Sequence, residues 1–179
     1  MDKNMNQVKA LIINKEKIYV LSQFILLTGI AVTAPLLGFQ QAISGPIINA
    51  VLFISVVLLG VRGAILIALV PSLIALSVGL LPPVLAPMIP FIMTSNAILI
   101  LAFSYLREKN YWLAIISASL MKFLFLWGTS LIVIDLLLKK EIASKVAMTM
   151  SWPQLLTALA GGLIAYLFLK SFKVRPFKY

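Results

Sequence analysis

The sequence predicts an all-α, polytopic membrane protein with six transmembrane helices, and three observations carry that expectation. Hydrophobic residues fill 62 % of the 179 positions and charged residues 11 %, with a mean hydropathy of +1.09, which is more apolar sequence than a soluble domain can bury. A charge-free run extends from Arg62 to Arg107, long enough for two spanning helices joined by a turn. The basic residues fall in short clusters between apolar runs, as on cytoplasmic flanks facing anionic lipid. That distribution assigns the net charge of +10 to a membrane surface and excludes a nucleic-acid partner.

Three segments follow in order: an N-terminal tail over 1–17, a six-helix membrane domain over 18–170, and a basic tail over 171–179. The first carries Lys3, Lys9, Lys15 and Lys17; its apolar spacing also suits a helix lying along the bilayer, and a cytoplasmic tail is the preferred reading. The first span is expected over about 18–37. Val32-Thr33-Ala34 resembles a signal-peptidase site, but the long apolar run and Pro35 favour a retained helix. Gly29, Ala31, Thr33, Ala34 and Gly38 supply small residues for a close helix approach or a partner's docking face.

Ser44-Gly45-Pro46 reads as a helix start, with a capping residue and proline in the first turn, opening a second span that runs to about Gly60. Arg62 marks a tight turn. A third span over about 63–81 has Pro71 at its middle, where a missing N–H predicts a kink. Four of the nine prolines lie within 80–96, and this stretch reads as a turn inside or against the membrane, where only protein or a water-filled cavity can satisfy irregular backbone. The fourth span is expected over 88–106 and the fifth over 111–138. Lys139, Lys140, Glu141 and Lys145 form a polar loop before Ser151-Trp152-Pro153-Gln154 opens the sixth, which ends at Lys170.

With six spans, eleven Lys and Arg residues collect on the side of the termini and three on the other, which predicts cytoplasmic termini and an external proline-rich turn. A short echo supports the arrangement: 49–54 resembles 96–101, and each follows a proline.

The chain has neither Cys nor His among its 179 residues, which removes thiol nucleophiles, imidazole bases and the commonest transition-metal ligands. No carboxylate pair falls inside the membrane, and Asp135 reads as a surface partner of Lys139 four residues on. No Walker-type loop occurs. An enzyme is therefore not expected, nor a cofactor or metal. What remains is polar: spans two, four and six each carry an amide near the outer end, Asn49, Asn96 and Gln154, with Thr94, Ser95 and Thr157 close by. Individually these side chains also suit helix packing or, for Gln154 with Ser151, a capping box. Together they predict a polar outer cavity.

Lys122 is the one charge deep in a span, about 16 Å from Tyr111 at 1.5 Å per residue, where a lysine costs about 2.5–3.5 kcal/mol to insert. Ser119, Lys122, Leu126 and Thr129 share one stripe, so the ammonium is expected to face the bundle interior. There it meets either a ligand carboxylate or phosphate, or carbonyls freed by Pro71. The expected solute-binding residues are therefore Asn49, Asn96, Lys122, Gln154 and Thr157. Small-residue spacings at Ala158/Gly162 and Gly161/Ala165 read as packing, and Trp152 as an interfacial anchor.

Ser44-Gly45-Pro46-Ile47-Ile48-Asn49, the Leu80-Leu81-Pro82-Pro83 turn with Pro87 and Pro90 before Asn96, Met121-Lys122-Phe123, and Trp152-Pro153-Gln154 followed by Thr157 and Gly161-Gly162 resemble the S components of energy-coupling factor transporters. The resemblance covers nearly all of the chain after the N-terminal tail. It implies a six-helix fold with an outward-opening site, capture of a vitamin or related micronutrient, and assembly with a transmembrane coupling subunit and two ATPases. In that family an Ala-x-x-x-Ala face on the first helix often meets the coupling subunit, whereas here the stretch has Gly29-x-x-x-Thr33 and Ala34-x-x-x-Gly38. The alternative is a stand-alone oligomeric channel or facilitator for a small solute.

Overall fold

The computed structural model describes residues 2–37, 39–77, 83–137, 147–148 and 150–174. Every regular element among them is helical: α1 (Asp2–Leu36), α2 (Gln41–Ser77), a 3-10 turn (Pro83–Met88), α3 (Ile89–Leu106), α4 (Tyr111–Leu137) and α5 (Trp152–Ser171). Five of these helices contain stretches long and apolar enough to cross a membrane: Lys15–Leu36, Gln41–Ile74, Ala86–Leu106, Tyr111–Val133 and Trp152–Ser171. The polar loop from Lys139 to Lys145, the turn residues Leu80 to Pro82 and the tail from Arg175 lie outside the described residues.

The two segments expected as the second and third spans form one helical element, α2, interrupted at Gly60 (φ 73°, ψ −179°). That dihedral pair is open to glycine and strained for any residue with a Cβ. The break falls two residues before Arg62, where the turn was expected, and each flanking piece, 41–59 and 61–77, measures about 25–30 Å at 1.5 Å per residue. Pro71 lies inside α2, yet the residue that leaves helical dihedrals is Gly60. A glycine gives up no side-chain packing when it turns, so the bend forms there.

Helix starts differ from the sequence expectation in two places. Helix α2 begins at Gln41, before Ser44-Gly45-Pro46, because the Gln40 carbonyl already accepts the Ile43 and Ser44 amides at 2.8 and 3.0 Å. The Ser44 hydroxyl points back to that same carbonyl at 3.3 Å, so it caps nothing. At α5, Ser151 occupies the N-cap position without a side-chain cap; its hydroxyl donates to the Met148 carbonyl at 2.8 Å. The Ser151 hydroxyl therefore does not supply its half of the expected capping box. Helix α1 is continuous from Asp2 to Leu36, and its stretch apolar enough to cross a membrane is Lys15–Leu36.

Helix α2 packs against α1, α3 and α5, and α4 closes the bundle by packing on α3 and α5. Leu27, Ala31 and Ala34 form the buried stripe of α1, spaced at the three- and four-residue intervals that place side chains on one helix face. Gly29 meets nothing that a Cβ would touch, so the small residues divide into packed alanines and an uncovered glycine.

Phe53 of α2, Phe103 of α3 and Tyr111 of α4 stack edge to face, with centroids 4.7 and 5.5 Å apart. Their rings lock three helices together in the geometry aromatic quadrupoles favour. Helix α5 enters through two glycines. A Cβ on Gly161 would lie 2.8 Å from the Pro46 carbonyl oxygen, and one on Gly162 would lie 2.5 Å from Ile115 Cγ2. Adjacent glycines thus let one helix approach α2 and α4 at once, as close packing in lipid requires.

Candidate functional site

Three side chains from three helices meet in the interior. Lys122 of α4 donates from Nζ to Asn49 Oδ1 of α2 at 2.6 Å and to Asn96 Oδ1 of α3 at 2.8 Å. All three residues are buried, with 2–4 % of their surface exposed. An ammonium there would be costly without acceptors, and amide oxygens supply them without adding a charge.

Each partner is fixed locally by its helix. Asn49 Nδ2 donates to the Gly45 carbonyl at 2.9 Å, one turn back, which turns the amide oxygen toward α4. Gly161 backs the same residue, because a Cβ there would stand 2.6 Å from Asn49 Cβ. Asn96 sits in the buried stripe of α3 with Ser95, Leu99 and Phe103. On α4 the stripe predicted from spacing is buried at Ser119, Lys122 and Leu126, so the ammonium does face the interior. Its acceptors are the two amides; the carbonyls around Pro71 are not among its partners in the described residues.

Thr157 of α5 is buried beside Gly45, whose absent Cβ would lie 2.8 Å from Thr157 Cγ2. Its hydroxyl donates to the Gln154 carbonyl at 3.1 Å. Thr157 stands one turn before Gly161 and Gly45 one turn before Asn49, so it adjoins the cluster one turn nearer the start of α2. Gln154 is half-buried at the first turn of α5. The structure thus unites Asn49, Asn96 and Lys122 directly, sets Thr157 beside them and leaves Gln154 further along.

Two neighbours expected in the cavity part company. Ser95 is buried and donates to the Ile92 carbonyl at 2.7 Å, whereas Thr94 is exposed on the outer surface of α3. Trp152 is 58 % exposed, as an interfacial anchor would be and a ring stacked on a buried ligand would not.

Sequence reasoning did not foresee that the amides bind the lysine itself. Their common depth was the available signal: about seven to eight residues into α2 and α3, or 10–12 Å, matches a lysine near mid-span on an antiparallel neighbour.

Arg107, just beyond the span of α3, donates from Nη1 to the Val56 carbonyl at 3.3 Å. Burial lowers its pKa from the ordinary value, with neighbouring Glu108 opposing that shift. Val56 lies one turn before Gly60, so this contact braces α2 next to its break.

The site holds a buried cationic donor and two amides in an apolar bundle, a set suited to recognition. The described residues contain no group of three or more metal-ligating side chains. In comparisons with protein-family models, curated proteins and solved structures, the chain matches none.

Proposed function

We propose that this chain is a substrate-binding membrane subunit of the S-component kind, which captures a vitamin or related micronutrient for ATP-driven uptake by a partner complex. The observation that carries the reading is the Lys122 ammonium held at 2.6 and 2.8 Å by amides from two other helices. A cation of that insertion cost, gathered with neutral polar groups in the middle of a bundle, is how a membrane protein prepares a solute site.

The remaining features support it. Counting the pieces of α2 on either side of Gly60 separately gives six spans, with both termini on the cytoplasmic side of the cell membrane by charge bias. The chain has no phosphate-binding loop and no carboxylate pair within its spans, so energy has to come from outside it. A transmembrane coupling subunit and two ATPases would supply it. Helix α1, whose Ile18, Tyr19, Leu21, Ile25 and Leu26 are exposed, offers surface to lipid or to that coupling subunit.

The test is reconstitution of the protein alone in liposomes with a labelled mixture of water-soluble vitamins. Solute should bind without being concentrated. Accumulation by the lone subunit, driven by an imposed ion gradient, would make it a secondary transporter and overturn the proposal.

A further inference from the structure

We infer that the solute taken by this site is an organic anion, whose carboxylate or phosphate oxygens meet Lys122 and Ser119 together. The inference rests on the reading of the site as a solute pocket and adds the chemical class of its occupant.

An ammonium has three N–H donors. Lys122 spends two on Asn49 and Asn96, and the third has no acceptor among the described residues. Amide oxygens solvate a cation but do not neutralise it. The chain's carboxylates are Asp2, Glu16, Glu108, Asp135 and Glu141. Asp135, on the same helix, is about 20 Å along the axis from Lys122, and Glu108 is about 18 Å along α3 from Asn96. No acid on α2, α3 or α5 faces the lysine, because the described parts of those helices carry none.

Ser119 gives a second and independent indication. Ser22, Thr33, Ser55, Ser95, Thr129 and Thr157 each donate to a carbonyl three or four residues back, the usual way a hydroxyl is satisfied in a membrane helix. Ser119 is fully buried, and its Oγ has no partner. The Thr28 Oγ1 atom also lacks a partner, but that residue is only half-buried and lies on α1, which supplies nothing to the cluster.

Ser119 precedes Lys122 by three residues, on the same face of α4. Helical side chains lean toward the helix N-terminus, which carries the ammonium back over the turn holding Ser119. Two buried donors lacking acceptors therefore share one stripe, and one of them is a cation. A carboxylate or phosphate provides at least two acceptor oxygens and the missing negative charge, and a charge-assisted bond of this kind is about twice as strong as a neutral one.

The test uses purified protein and an equimolar mixture in which each acid is paired with a neutral relative: nicotinate with nicotinamide, pantothenate with panthenol, biotin with its primary amide, and pyridoxal phosphate with pyridoxal. Retained molecules are identified by native mass spectrometry. Wild type should retain one or more acids and exclude their neutral relatives. Asn96→Asp, which is isosteric and sets a carboxylate where an amide oxygen now stands 2.8 Å from Nζ, should lose the acid because the lysine gains an internal counter-ion. Lys122→Met provides a second variant should Asn96→Asp fail to fold, with an expected loss of about thirtyfold to several thousandfold. Ser119→Ala should weaken retention about fivefold. Retention of neither member of any pair would remove solute capture itself, and this inference with it. Retention of neutral relatives alongside acids, or equal retention of an acid by wild type and by a folded Lys122 or Asn96 variant, would overturn the anion assignment and leave capture standing.

Discussion

Gly161 of α5 lies so close to Asn49 of α2 that a Cβ on the glycine would stand 2.6 Å from the asparagine Cβ. The same Cβ would meet the Ala50 amide nitrogen and the Pro46 carbonyl oxygen, each at 2.8 Å. Because the obstacle includes backbone, α5 has to retreat as a body to admit a methyl group. Gly161→Ala should therefore destabilise the protein by about 1–3 kcal/mol. It should also disturb Asn49, and with it solute binding. The three atoms nearest a Cβ on Gly162 all belong to the Ile115 side chain, at 2.5–3.0 Å; that side chain is buried and β-branched and so yields at a cost, but no backbone stands in the way, and Gly162→Ala should be the smaller loss of the two. Thermal unfolding of the pair in one detergent checks the order.

Gly60 should tolerate no side chain, although nothing surrounds it. A Cβ there would touch no atom within 4 Å, while φ is +73°. The penalty is thus conformational, about 1–2 kcal/mol for an L residue in the left-handed region. Gly60→Ala should lower the melting temperature and Gly60→Val should lower it further. Equal melting of all three proteins would mean that the break in α2 can be redistributed.

Arg107 should matter more than a surface cation. Its Nη1 reaches the Val56 carbonyl at 3.3 Å, and Nε is buried without a partner. Arg107→Lys removes the planar fork that reaches that carbonyl. A loss of about 1.5–3 kcal/mol in unfolding free energy is expected, the range for a hydrogen bond involving a charged group.

The topology can be checked independently of the fold. If the chain crosses the membrane six times, eleven basic residues fall on one side and three on the other, so Val84→Cys should react with a membrane-impermeant thiol reagent applied to intact cells and Arg175→Cys should not. The reverse pattern would invert the orientation and place the proline-rich turn inside.

The sequence was most legible where one signal acted alone. The limits of α3 and α4 agree with the expected fourth and fifth spans to within about a residue or two, because the proline-rich turn precedes α3 and Arg107 to Asn110 separate the two apolar runs. Helix α2 was harder. The expected end of the second span near Gly60 is where the backbone leaves helical geometry, but Pro46 suggested a start where the helix already runs from Gln41, and Pro71 suggested a kink where the dihedrals stay helical. The same limit applies to Ser44 and Ser151, which have capping spacing but donate to nearby carbonyls instead. Of the candidate site, the burial of Lys122 followed from the α4 stripe, and the depth of Asn49 and Asn96 from residue counts. Their bonding to each other did not, since helix rotation in a bundle where every face is apolar leaves no periodic signal to set it.

On the proposed function, Lys122 is held ready for a solute and does not serve only to pin α2, α3 and α4 together. Thermal unfolding of wild type and Lys122→Met, each empty and each with the molecule that wild type retains from the acid and neutral mixture, separates the two roles. Methionine keeps much of the lysine volume and removes a charge costly in lipid, so the empty variant should melt within a few degrees of wild type or above it. The retained molecule should raise the melting temperature of wild type and leave that of Lys122→Met unchanged. A markedly lower melting temperature for the empty variant, with an undiminished rise on adding the molecule, would reduce Lys122 to a structural pin.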